Sequence, residues 1–371
     1  MQVVTTVQHK EQQFYDSIYV ISHSQKSVST YKTGINHLKK FLELEYGFDE
    51  IRLVEKIKNE EIDVYEFLRL IIIYLDKKEI KPKGMRSYLS GINGYLRFLG
   101  VKINSDDYKL LVKIPKIVKT REVALTKEVI AQLLRNATPK LATGILVTIA
   151  SGIRIGELVQ LKLADIDFES NPTKISIRGN TSKGRFSRET FLTTEATNAL
   201  KDYLGHYFGW VDGSKNEHLL ETYIFWRISR PKSTTKIPKF NPEHAKSSFY
   251  TSLSRQIDKI PELNKKNENG RNAIHFHAFR KFFRTNVGNV CGRDFAEALM
   301  GHSFYMDTYY QLPEEKKLEM YLDAESQLTI LDSKAVETSL NNLSKKYQNL
   351  ESKMDGIMSY LKSNSIPIPN F

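Results

Sequence analysis

The sequence predicts a mainly helical protein with one small antiparallel sheet. Three observations carry that expectation: helical apolar spacing through the first hundred residues, a change to strand-like spacing near residue 174, and an unbroken heptad repeat near the end. The corresponding division is an all-helical unit over 1–112, a basic connection over 113–125, an α+β unit over 126–328 and a coiled-coil helix over 329–371.

From Ser27 to Leu44 the apolar residues Val28, Tyr31, Ile35, Leu38, Phe41 and Leu42 recur at steps of three and four, and Gly47 stops the helix. Helices are also predicted over Ile62–Leu75 and Gly84–Phe98, the second closing at Gly100. Phe67–Leu75 is the densest apolar run, but Arg69 interrupts it and Asp76 follows, so a buried helix is expected and no membrane span.

Periodicity lapses over Lys113–Leu125, where Pro115 blocks a helix and Lys113, Lys116, Lys119 and Arg121 stand against a lone Glu122. A linker lying close to phosphates is expected there. The second unit opens with Thr126 as an N-cap and continues from Leu141 into the apolar run TGILVTIASGIRIGELVQL, read as helical. Lys174–Ile177 and Glu189–Leu192 are β-prone and flank GNTSKGRFS, whose glycines and small residues suit a hairpin. Beyond Ala335, Val336, Leu340, Leu343, Tyr347, Leu350, Met354, Ile357 and Leu361 alternate steps of four and three, the seam of a coiled coil. Self-association through that seam is preferred over a helix folded back on its own unit.

Fifty-five Lys and Arg against 43 Asp and Glu leave a net charge of +12, as expected of a protein that sits on a polyanion. The N-terminus lacks the basic-then-apolar order of a secretory signal, and the single Cys291 cannot form an intramolecular disulfide. A cytoplasmic, nucleoid-associated protein is the expectation.

Breaking a phosphodiester without metal requires cations on the non-bridging oxygens, an acid for the leaving oxygen and a nucleophile able to hold the phosphoryl group. Arg154 has Glu157 three residues on as a brace, though such pairs are commonplace on surfaces. His277 and Arg280 stand three apart in IHFHAFRKFFR, a helix with phenylalanines for a core anchor. Gly301–His302 is followed, after seven residues, by Tyr310 with Tyr309 beside it, in a chain with 19 tyrosines. Each pattern alone is weak. Their order is not: GxRxxE, a lysine on a glycine hairpin, HxxR, GH, then Tyr.

In that order the sequence resembles the tyrosine recombinase (phage integrase) family over roughly residues 25–325. The resemblance implies a helical, SAM-like core-binding domain that clamps DNA, followed by a catalytic domain carrying Arg154, Lys183, His277, Arg280, His302 and Tyr310, with Glu157 in support. It implies a 3′-phosphotyrosine intermediate and neither metal nor other cofactor. The partners implied are double-stranded DNA with specific recombination sites and three further copies of the chain, forming a tetramer on DNA. Lys281 stands where the family often has histidine, and the adjacent Tyr309 leaves the nucleophile open, with Tyr310 favoured by its spacing from His302. Arg185 and Arg188 share the hairpin with Lys183, whose place at the SKG tip favours it as the acid. Further DNA-backbone contacts are expected from Lys113, Lys116, Lys119, Arg121, Arg185, Arg188, Arg227, Arg230, Lys232 and Lys281. Two rivals stand beside this reading: a type IB topoisomerase, disfavoured by the heptads, and a non-catalytic DNA-binding protein, disfavoured because all six positions are filled.

Overall fold

The computed structural model describes residues 2–117, 124–182, 184–214, 216–226, 239–267, 272–302, 312–331 and 353–354. The chain forms two compact units, 1–119 and 120–371, divided within the basic segment 113–125.

The first unit is wholly helical: α1 (Gln2–Ser22), α2 (Gln25–Glu45), α3 (Glu50–Lys58), α4 (Val64–Lys77), α5 (Pro82–Phe98) and α6 (Ser105–Leu111). Side-chain oxygens of Ser24, Asp49, Asp63 and Asn104 accept backbone N–H groups in the first turns of α2, α3, α4 and α6, satisfying donors the helix cannot. Gly47 and Gly100 follow α2 and α5 at φ +69° and +91°. Gly47 N–H and Val101 N–H turn back to the Leu42 and Leu96 carbonyls at 2.9 and 3.0 Å, closing each helix. The apolar faces of α2, α4 and α5 build the core from Ile35, Leu38, Leu68, Ile71, Leu75, Leu89, Ile92 and Leu96. Where α2 meets α5, a Cβ on Gly34 would lie 2.7 Å from the Tyr88 carbonyl oxygen, so the close approach requires glycine.

The second unit contains α7 (Lys127–Arg135), α8 (Pro139–Ser151), α9 (Ile155–Leu158), β1 (Ile166–Asp167), β2 (Lys174–Ile177), β3 (Arg188–Phe191), α10 (Thr194–Phe208), α11 (Pro242–Asp258), α12 (Phe276–Cys291), α13 (Arg293–Met300) and α14 (Glu314–Leu328). The sheet is antiparallel in the order β1-β2-β3, with Ile175 opposite Ile166 on one side and Thr190 on the other. α8 is buried along nearly its whole length and packs against α10, α12 and α14, which explains its apolar character on every side.

One expectation needs correction. The run from Thr143 to Leu161 is not one helix: Gly152 adopts φ +62°, α8 stops, and Arg154 becomes the N-cap of the single turn α9. β3 also begins one residue earlier than expected, at Arg188. The heptad seam lies outside the described residues except at Met354. Among the described residues, no helix is long and apolar enough to cross a membrane.

Candidate active site

Gly152 shapes the centre of the second unit. Its left-handed backbone turns the chain at the end of α8, and a methyl group there would overlap the Phe283 ring of α12. The turn frees the Gly152 carbonyl, which accepts a hydrogen bond from Arg280 Nη1. At the other side, α13 ends at Gly301, φ +65°, whose Cβ would lie 2.6 Å from Arg188 Cδ. The carbonyl ends of α8 and α13 therefore converge, each carrying the partial negative charge of a helix C-terminus.

Guanidinium groups gather on those carbonyls. Arg280 Nη2 donates to Met300 O at 2.6 Å, Arg154 donates through Nη1 to Met300 O and through Nη2 to Gly301 O, both at 3.4 Å, and Arg188 Nε donates to Leu299 O at 2.9 Å. Arg154 and Arg280, distant in sequence, thus share one carbonyl oxygen. Phe276, Phe279, Phe282 and Phe283 are all buried and seat α12, so Arg280 arises from a fixed helix and is itself only 2% exposed. Burial, then the like charge of Arg154, pushes the Arg280 guanidinium down to about 9, still cationic at neutral pH. Its Nε is buried and unpaired among the described residues.

Glu157, 2% exposed, is the counter-charge. It accepts the Arg154 backbone N–H at 2.9 Å and Arg154 Nη1 at 3.0 Å, and Arg188 Nη1 and Nη2 at 3.2 and 2.6 Å. The first contact is the carboxylate half of a capping box; the reciprocal half is impossible because arginine has no acceptor. Burial works against the Glu157 charge, but the hydrogen bond and charge of Arg188 and then Arg154 outweigh it, holding the carboxyl below its usual range. The bracing expected from the spacing is present, with a second arginine that the spacing did not suggest.

That second arginine is among the residues expected on flanking phosphates. The Arg188 side chain is 7% exposed and engaged with Glu157 and the Leu299 carbonyl, so it fastens β3 to the site. By contrast Lys113, Lys116, Arg185 and Lys281 are exposed.

His302 lies between two charged neighbours. Nδ1 contacts the Glu297 carboxylate, and Nε2 stands 3.0 Å from Arg280 Nη2. Glu297, on α13, is 4% exposed and also pairs with Arg284 Nε of α12. Burial disfavours its charge, yet His302 and Arg284 together hold its carboxyl below the usual range. Neither Glu297 nor Arg284 was expected from the sequence. Glu297 falls off the apolar stripe of α13 formed by Phe295, Ala296, Leu299 and Met300, so periodicity gives it no mark.

Of the six expected catalytic residues, Arg154, Arg280 and His302 come together. His277 is exposed near the start of α12, its ring 6.3 Å from that of His275. Lys183, Tyr309 and Tyr310 lie outside the described residues, as do Lys119, Arg121, Arg227, Arg230 and Lys232.

Known proteins resemble the chain in sequence. The chain is 28% identical over 199 residues to tyrosine recombinase XerA of Pyrococcus furiosus, covering 50% of this chain and 66% of that protein. It is 26% identical over 204 residues to tyrosine recombinase XerC of Chlorobaculum parvum, covering 48% and 58%. Both matches span under two thirds of the relative. A longer match, 24% identical over 322 residues, covers 81% of this chain and 91% of XerC of Pediococcus pentosaceus. In fold, the chain resembles a lambda integrase dimer bound to a COC′ core site, with a TM-score of 0.51 at 13% identity over 83% of this chain and 98% of that one. A lambda integrase tetramer bound to a Holliday junction gives a TM-score of 0.50 at 15% identity, covering 83% and 80%. The family model described as "Phage integrase family" matches residues 123–311, slightly more than half of the sequence and the whole of the site above, and this chain belongs to that family.

Proposed function

We propose that the protein is a site-specific DNA recombinase that cleaves and rejoins strands through a 3′-phosphotyrosine. The observation that carries this reading is the pair of guanidiniums on the Met300 carbonyl, Arg154 at 3.4 Å and Arg280 at 2.6 Å. One carbonyl holds two planar cationic forks side by side, and their remaining N–H donors, the unpaired Arg280 Nε among them, suit the two non-bridging oxygens of one phosphodiester.

In the proposed reaction the Tyr310 oxygen attacks phosphorus and the bond to the 5′ oxygen breaks. Lys183 supplies a proton to that oxygen, and the tyrosine proton passes to a neighbouring histidine, His302 or His277. A 5′ hydroxyl from a second strand reverses the step, so the phosphoester bond is conserved. Losing one preorganised donor such as Arg154 typically lowers the rate by roughly 10²–10³-fold.

Exposed Lys113, Lys116, Arg185 and Lys281, with Lys119, Arg121, Arg227, Arg230 and Lys232, would neutralise flanking phosphates. Two duplexes with paired half-sites call for four protomers, and lambda integrase has been captured on a core site and as a tetramer on a Holliday junction. The heptads beyond Ala335 would add to self-association, and the working place would be the cytoplasmic nucleoid.

The test is incubation of the purified protein, in EDTA, with a nicked suicide duplex carrying a candidate recombination site. A denaturation-resistant protein–DNA adduct in wild type and in Tyr309→Phe, absent in Tyr310→Phe, is expected. Loss only in Tyr309→Phe moves the nucleophile by one residue. Binding without an adduct on a verified site rejects the enzymatic reading.

A further inference from the structure

We propose that Glu297 is a positioning residue that fixes the His302 proton on Nδ1 and leaves Nε2 as the acceptor facing Arg280. The proposal concerns the same site and rests on the recombinase reading for its catalytic consequence.

The argument is one of donor and acceptor inventory. A guanidinium has N–H donors and no lone pair to offer, so the 3.0 Å contact between Arg280 Nη2 and His302 Nε2 is a hydrogen bond only if Nε2 is unprotonated. The proton of the neutral ring then sits on Nδ1, where the Glu297 carboxylate accepts it. The two carboxylate oxygens are divided: Oε2 faces the imidazole, while Oε1 meets Arg284 Nε and lies 3.8 Å from Arg293 Nε. Arg284 and Arg293 add positive charge beside Oε1, while Oε2 alone faces the ring and keeps the imidazole in one tautomer and one orientation.

Rigid elements hold all the partners. His302 follows directly on Gly301, whose left-handed turn ends α13, and the His302 backbone N–H donates to the Glu297 carbonyl at 3.2 Å. Residues 297 and 302 are therefore joined by both backbone and side chain. Arg284 and Arg280 are one turn apart on α12, so a single helix supplies the cation on each side of the Glu297–His302 pair. Once the Arg280 N–H turns from Nε2 to the scissile phosphate, Nε2 can take up one proton from an attacking hydroxyl, and the Glu297 carboxylate stabilises the resulting imidazolium.

The test is a long-range ¹⁵N–¹H correlation spectrum of ¹⁵N-histidine-labelled full-length protein, recorded well above the ordinary imidazole titration near ~6.5. His302 is assigned by its loss in His302→Asn. Expected in wild type is the Nδ1–H pattern for His302, retained in Glu297→Gln, which keeps an acceptor, and in Arg284→Met, which removes only the outer cation. Glu297→Leu should lose that pattern and form the covalent adduct about 10–100-fold more slowly at saturating DNA, with DNA affinity unchanged.

An Nε2–H pattern in wild type overturns the proposal even if Glu297→Leu fails to fold. So does a Glu297→Leu protein with the wild-type pattern and rate, or an Arg284→Met protein that loses the pattern equally. Absence of any adduct in wild type would count against the recombinase reading, while the spectra would still decide the role of Glu297.

Discussion

The Arg188 guanidinium sets both terminal nitrogens on the Glu157 carboxylate, Nη1 at 3.2 Å and Nη2 at 2.6 Å, while Arg154 reaches the same carboxylate at 3.0 Å. One carboxylate thus neutralises two arginines that arise from β3 and from the turn before α9. The pairing is asymmetric, because Glu157 has a second cation in reserve and Arg188 has no second carboxylate among the described residues.

Glu157→Gln should therefore destabilise the protein more than Arg188→Met. The first leaves two guanidiniums facing each other with one of them buried, a loss on the order of 3–5 kcal/mol; the second leaves Glu157 paired with Arg154 and should cost roughly 1–3 kcal/mol. Urea denaturation of both variants measures the difference. Because Arg188 is spent internally, Arg188→Met should leave the salt dependence of DNA binding as in wild type, whereas Lys281→Ala should lower the slope by about 1 if Lys281 meets a phosphate. A reduced slope in Arg188→Met would return Arg188 to the DNA-contacting set.

How much of this was legible in the sequence depends on the range of the interaction. The helices over residues 27–44, 62–75 and 84–98 and the strand Lys174–Ile177 follow from local periodicity and appear within about two residues of where that periodicity sets them. The Arg154–Glu157 brace was legible because three residues separate them. Its geometry was not: the apolar text around Gly152 suits a continuous helix, and only the Phe283 ring, from another helix, shows why the chain must turn there. Arg188 and Glu297 were missed for a related reason. Each meets its partner across elements or across a helix end, where neither spacing nor apolar period carries a signal. α1 was not expected because its apolar residues do not form one stripe: Phe14 and Tyr15 are buried, while Tyr19, Val20 and Ile21 stand exposed.

Gly152→Ala tests whether that turn sustains the site. The added methyl would meet the Phe283 ring in a backbone conformation that costs an L-residue roughly 1–2 kcal/mol, and overpacking adds roughly 1–3 kcal/mol. Gly152 also supplies the carbonyl that holds Arg280 Nη1, so adduct formation should fall further than Gly301→Ala lowers it, since a methyl on Gly301 would press on Arg188 Cδ, Nε and Nη1 and not on the contacts of Arg280. Thermal melts and single-turnover cleavage at a temperature where both variants are folded provide the comparison. A Gly152→Ala protein with wild-type melting and cleavage would show that α12 can shift freely, contrary to the packing seen.

Acid sensitivity should follow from the same carboxylate. Burial raises the Glu157 carboxyl, but Arg188 and Arg154 more than offset it, so its folded value lies below the unfolded one near ~4.3. A group depressed in this way contributes stability that is complete above the unfolded value and is lost as pH falls through the folded one. Other depressed carboxylates, Glu11 and Glu297 among them, share that behaviour, so the whole-protein curve cannot isolate one group. The difference between wild type and Glu157→Gln can. Their unfolding free energies, measured in urea from neutral pH downward, should differ by a constant amount to roughly pH 5 and then converge as Glu157 protonates in the wild type. Stability that stayed separated by the same amount down to about pH 3 would mean that Glu157 does not draw its value from charge, and that the Arg188 contact acts through packing alone.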